Sequence, residues 1–177
     1  MLQSNMDVSL ETLLQSLQST RSTLLSEIEM LNDTEVNVKP RRDKWSIIQI
    51  LHHLHLVEQS VTSALVYGLQ KRERKSAPFK DLQFTLDRTH KREAPQQMQP
   101  TETLMKKQQG IQLLEHSRQE LLHALHSVID EKELFENALK HPVFSDLNLY
   151  QWVQFLDLHE QRHLTQLKEA KYAILQR

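Results

Sequence analysis

The sequence predicts an all-α protein, a four-helix bundle with a long crossover connection between helices two and three. Three observations predict it. Glycine and proline are scarce, two and five in 177 residues, which argues against a turn-rich β fold. Apolar residues recur at helical spacing in four stretches. The longest irregular segment, 71–100, lies between the second and third of these and carries Pro78, Pro95 and Pro100, where a bundle with one crossover places its long link.

The first helix is expected from about Asp7 to Leu31, where Leu10, Leu13, Leu14, Leu17, Leu24, Leu25, Ile28 and Leu31 form the apolar stripe. Asn32 and Asp33 end it, and Thr34 to Lys44 reads as a linker that Pro40 keeps from being helical. The second helix starts near Ser46, with Gln49 completing a capping box. Its apolar set is Ile47, Ile50, Leu51, Leu54, Val57, Val61 and Leu65, and it ends near Gly68 or frays into the basic run Lys71–Lys75. The third helix is expected after Pro100, with Thr101 as a candidate N-cap and a stripe running from Leu104 to Val128. Gly110 weakens it by about 1 kcal/mol relative to alanine. A short helical piece follows around Glu133 to Lys140, and Pro142 breaks the chain. Asn148 and Gln151 have the spacing of an N-cap for the fourth helix. The whole of 1–177 is read as a single domain.

Composition bounds the function. A formal net charge of −1 gives no bulk attraction to nucleic acid or anionic lipid. No apolar run approaches the roughly 20 residues of a membrane span. The amino terminus lacks the basic and apolar regions of a secretory signal, so a cytoplasmic protein is expected. With no cysteine, disulfides, thiolate zinc sites and a cysteine nucleophile are excluded. Ten histidines remain, and their placement carries most of the functional argument.

The strongest local signal is His159-Glu160-Gln161-Arg162-His163. Residues four apart on a helix have Cβ atoms roughly 5–6 Å apart, so two imidazoles there can converge on one metal ion. Both lie on the face that carries Leu149, Trp152, Leu156 and Ala170. Two core-facing imidazoles are costly to desolvate unless their nitrogens are satisfied, although a histidine in such a place is often simply hydrogen-bonded. The string also matches the H-E-x-x-H of zinc peptidases, with Glu160 as general base. The absence of a following glycine, the fourteen residues left after His163 and the lack of a confident strand all oppose that reading. A third ligand must come from another helix. On the second helix His52 points away from the apolar face, while His53 and His55 flank it, and the wheel does not choose between them. Glu58, near the same face, is a candidate partner or alternative ligand, or a half-exposed carboxylate. His90, His116, His123, His126 and His141 show no convergence and are expected at the surface.

These residues resemble the DinB/YfiT-like superfamily of metal-binding four-helix bundles. The segment Lys44-Trp45-Ser46, Gln49, His53-Leu54 and Glu58 is similar to that family's W-S-x-x-[EQ]-x-x-x-H-L-x-x-x-E pattern. The segment His141-Pro142-x-Phe144, Leu149, Trp152, His159, His163 and Gln166 is similar to its pre-helix turn and terminal H-x-x-x-H-x-x-Q. The resemblance implies His53, not His55, as the third ligand beside His159 and His163, with water in the remaining positions. It further implies a metal-dependent hydrolase, or a transferase acting with a low-molecular-weight thiol on a small-molecule substrate. A non-enzymatic binding or dimerisation module, as a homodimer with a structural or vestigial metal, is the alternative. Three neutral imidazoles suit zinc, nickel or manganese without selecting one. An open position on such an ion could activate a water or a thiol.

Overall fold

The computed structural model describes residues 9–71, 74–89 and 93–176. Four long helices form the bundle: α1 (Leu10–Ile28), α3 (Ile47–Gln70), α4 (Lys107–His126) and α6 (Leu149–Leu175). Two short helices, α2 (Asp33–Asn37) and α5 (Lys132–Glu136), and a hairpin of β1 (Ala138–His141) with β2 (Ser145–Asn148) fill the connections. Helix α3 packs against α4 and α6, and α1 packs against α6.

Caps set the helix starts. Ser46 and Gln49 form the expected capping box at α3, and the Asn148 side chain accepts from Gln151 N at α6. Three expectations are corrected. Asn32 does not merely stop α1; its side chain accepts from Thr34 N and Glu35 N and starts α2 inside the presumed linker. Thr101 does not cap the third helix. Its hydroxyl accepts from Thr103 N, Leu104 is exposed, and α4 starts only at Lys107. The Glu133–Lys140 piece is helical only to Glu136, after which the chain turns into the hairpin with Pro142 in its turn. The Asp7 end of the first expected helix lies outside the described residues, and α1 ends at Ile28, short of Leu31. Gly110 has a packing role, since a Cβ there would come within 2.5 Å of Ile48 Cδ1, so the missing side chain lets α4 lie close on α3.

The core falls into two apolar parts. One gathers Leu13, Leu17, Val57, Val61, Leu121 and Leu156 with the hairpin end. The other gathers Leu24, Ile28, Ile50, Leu54, Leu114 and Leu167. Between them, one charged residue from each long helix enters the interior: Arg21, Glu58, Arg118 and Glu160, each at most 7% exposed. Arg21 bridges Glu160 Oε1 at 2.5 Å and Glu58 Oε2 at 3.1 Å. Arg118 bridges Glu58 Oε1 at 2.6 Å and Glu160 Oε2 at 2.7 Å. The remaining guanidinium donors reach the backbone oxygens of Leu114 and Leu17, and Ser117 Oγ donates to Glu58. Two cations meet two anions with their hydrogen bonds filled, the condition under which buried charge is tolerated. Burial alone would raise the Glu58 pKa, but the two guanidinium groups outweigh it and hold the carboxylate below its ordinary range.

The crossover runs as a strap from α3 to α4. On α6 it is held by Gln151, which accepts from Lys80 N and donates to Lys80 O, by Arg162 on the oxygens of Thr85 and Asp87, and by Arg88 paired twice with Glu169 at 2.7 Å. On α3 it is held by Gln49 Nε2 to Thr101 O and by Thr101 N to His52 Nδ1.

The ion-pair layer yields the first prediction. Glu58→Gln or Arg118→Met leaves an uncompensated buried charge and should cost about 3–5 kcal/mol in denaturant unfolding. A loss below about 1 kcal/mol would show that the charges do not interact as drawn.

Candidate metal centre

His53 on α3 and His159 and His163 on α6 converge, with one ligand nitrogen from each lying within 4.8 Å of the others. Hydrogen bonds fix how two of the rings present themselves. His53 Nδ1 lies 2.6 Å from Met98 O, so Nδ1 carries the proton and Nε2 keeps its lone pair. His163 Nδ1 donates to Gln166 Oε1 at 2.8 Å, with the same result. His53 Nε2 and His159 Nε2 stand 3.4 Å apart. Two nitrogens bound tetrahedrally to zinc at about 2.0–2.1 Å are themselves about 3.4 Å apart, so this spacing is the one an ion would require. The cluster is therefore capable of coordinating a metal ion.

Its surroundings are apolar on two sides. Trp45 lies over His53 and His163, with centroids 4.8 and 6.1 Å away, and Phe155 lies 5.4 Å from His159. His53 and His163 are buried, whereas His159 keeps part of its surface open to solvent. Burial pushes all three imidazole pKa values down, His163 to about 3, and for His159 and His163 the neighbouring rings add to the effect. The neutral imidazoles that result are the form a metal needs.

The other candidates separate cleanly. His55 is buried on α3 but does not join the cluster, and its Nδ1 has no partner among the described residues. His52 is half-buried rather than solvated and holds the strap at Thr101 N. Glu58 is neither ligand nor half-exposed carboxylate; it is fully buried in the ion-pair layer. His116, His123 and His126 are exposed as expected, and His90 lies outside the described residues. Within the basic run, Arg74 pairs with Glu133 and Glu136 and Lys75 with Asp146, so these residues tie the strap to α5 and the hairpin. Glu160 is held on two sides by Arg21 and Arg118. Its carboxylate cannot also serve as the general base of a zinc peptidase.

His141 was expected at the surface and is instead 4% exposed. It closes the hairpin turn, where its Nδ1 accepts from the backbone N–H groups of Val143 and Phe144 at 3.2 and 3.3 Å. Its ring packs edge-on to Phe155 and Trp152, with centroids 4.4 and 4.7 Å away. The Phe155 ring thus touches both His141 and His159. The sequence signal was the short spacing from His141 to Phe144 just ahead of α6, which marks a tight turn but not the direction of its ring.

Among the described residues no helix is long and apolar enough to cross a membrane. Comparison with known proteins shows the family and the fold. Residues 16–167 match the family model described as the DinB superfamily. The chain is 34% identical over 149 residues to the uncharacterized protein YuaE of Bacillus subtilis (strain 168), covering 84% of this chain and 91% of the relative. Solved structures share the fold, among them two described as four-helix bundles. One is TT2238, a four-helix bundle protein, with TM-score 0.63 at 19% identity, covering 91% of this chain and 99% of the other. The second is YfiT from Bacillus subtilis, with TM-score 0.63 at 15% identity, covering 97% and 92%; it is described as a probable metal-dependent hydrolase with an unusual four-helix bundle topology. With the family model covering most of its length, this chain belongs to the DinB superfamily.

Proposed function

We propose that the protein is a divalent-metal-dependent enzyme acting on a small molecule, with His53, His159 and His163 as ligands. The observation that carries this reading is the His53 and His159 Nε2 atoms 3.4 Å apart; Met98 O backs the His53 ring and Gln166 the His163 ring, while the buried His159 Nδ1 has no partner among the described residues. Partial exposure of His159 supports an open coordination position over a sealed structural site. A bound divalent ion would supply Lewis acidity, lowering the pKa of a water or a thiol beside it. Hydrolysis, or transfer of a low-molecular-weight thiol, are the two reactions this supports. The likeness to YfiT, described as a probable metal-dependent hydrolase, favours hydrolysis as the first assay.

The chain's own residues hold the site in place. Met98 O and Gln166 orient rings, Trp45 and Phe155 exclude water from their faces, and the ion-pair layer fixes α6 beside α3.

Purified wild type should take up about one equivalent of zinc, nickel or manganese by calorimetry. His53→Ala and His159→Ala should lose it, and His55→Ala should not. Free ion at 1,000 times its dissociation constant should raise wild-type stability by about 4 kcal/mol. Unchanged uptake in His53→Ala and His159→Ala would end the assignment.

Acid sensitivity follows from the neutral buried rings. Burial, with the Lys80 ammonium nearby, pushes His141 down to about 4. In the unfolded chain the ring has its ordinary pKa near 6.5. Stability from this residue is complete above about pH 6.5 and is lost as pH falls toward 4, because the unfolded state takes protons that the fold refuses. Metal-free protein should lose roughly 3 kcal/mol from His141 alone across that window. His141→Phe should flatten that part of the pH–stability curve, and an identical curve would contradict the assignment.

A further inference from the structure

The hairpin offers the metal centre something that none of the ligands does. In His141 the turn itself fixes the tautomer. Backbone N–H groups can only donate, and two of them, from Val143 and Phe144, point at Nδ1. Nδ1 is therefore the acceptor, and the proton of the neutral ring sits on Nε2. No described group accepts from that Nε2–H, which keeps contact with solvent although the residue as a whole is only 4% exposed. The ring in contact with it differs in this, since Trp152 is 8% exposed and its indole Nε1–H is buried without a partner among the described residues.

The placement of this ring is as informative as its tautomer. His141 lies outside the group of nitrogens that can share one ion, so it is not a fourth ligand. It is near enough to His159 to affect that imidazole electrostatically, and the Phe155 ring is in contact with both. The surroundings are aromatic, Phe144, Trp152 and Phe155, a low-dielectric setting in which one N–H donor counts for more than in water. Lys80, whose Nζ donates to Phe144 O, adds positive charge on the same side. Donors of this kind suit an oxygen that only accepts, such as a carbonyl or a carboxylate.

We propose that His141 is a positioning residue of the metal centre, donating from Nε2–H to a carbonyl or carboxylate oxygen of the small molecule bound at the ion. This rests on the metal-centre reading above and adds the chemical class of the ligand, an oxygen-acceptor group placed between the ion and the hairpin. The hairpin then has a function beyond linking α5 to α6, because its backbone holds the donor in the required tautomer.

The test uses the full chain loaded with cobalt(II), as wild type, His141→Phe and His141→Gln, with acetate as the probe. Cobalt uptake should be equal in all three. Acetate, followed through the cobalt visible spectrum, should bind about tenfold more weakly to His141→Phe than to wild type, the loss of one hydrogen bond to a charged acceptor. Glutamine, which keeps a donor, should recover part of that loss. Long-range proton–nitrogen NMR of metal-free wild type should show His141 protonated at Nε2. Equal acetate affinity in wild type and His141→Phe, as an N–H resting on the face of Phe155 or Trp152 would give, overturns the proposal and leaves the metal centre standing. Protonation at Nδ1 overturns it as well, and that readout stands even if His141→Phe does not fold. Loss of cobalt uptake in the variants would make His141 a structural or ligating residue and overturn it too. Failure of wild type itself to bind cobalt overturns the metal reading and this proposal together.

Discussion

The structure depends on a layer of four buried charges. Arg21, Glu58, Arg118 and Glu160 come from the four long helices, one from each. Any sliding or rotation of one helix by a step would strand a charge in a low-dielectric interior, a penalty that apolar contacts cannot impose with the same directionality. Leucine-rich stripes such as Leu13–Leu17 and Leu24–Ile28 on α1 could pack in several registers. The charged layer between them selects one.

That selection is what brings the three histidines of the cluster together. Glu160 is next to His159 in sequence and Glu58 is five residues beyond His53. The carboxylates face inward toward Arg21 and Arg118, while the imidazoles face the strap and the Trp45 ring. Fixing α3 against α6 through their carboxylates fixes the separation of His53 and His159 to the 3.4 Å that an ion requires. The strap completes the arrangement from outside, since Met98 O sets the His53 tautomer while Gln151, Arg162 and Glu169 hold the strap's other half along α6. Fold stability and site geometry are in this sense a single constraint, and the same residue types serve both.

Much of this was legible in the sequence, and the exceptions have physical causes. Helices α3 and α6 could be placed because each carries a side-chain cap and a long apolar stripe. The start of α4 was misplaced because Thr101 looks like an N-cap, whereas Asn37 and Asp33 reach across to the Met105–Lys107 backbone and set the true start. The hairpin was missed because strands of four residues give almost no periodic signal. The pairing of His159 with His163 on α6 was readable from spacing, whereas the choice of His53 over His55 as the histidine that joins them needed the family resemblance, because both side chains are buried. The charged layer escaped because arginine and glutamate default to the surface. A signal was present nonetheless. Arg21 sits between Leu17 and Leu24, and Arg118 between Leu114 and Leu121, positions that continue the apolar stripe.

The central claim is that one ion is held by three particular imidazoles at the α3–α6 seam. A crystal structure of zinc-loaded protein with anomalous diffraction at the zinc edge tests it most directly. The account predicts a single strong peak about 2.0–2.1 Å from nitrogens of His53, His159 and His163. A peak instead on the exposed His116, His123 or His126, or none at the seam in protein saturated with zinc, would contradict it.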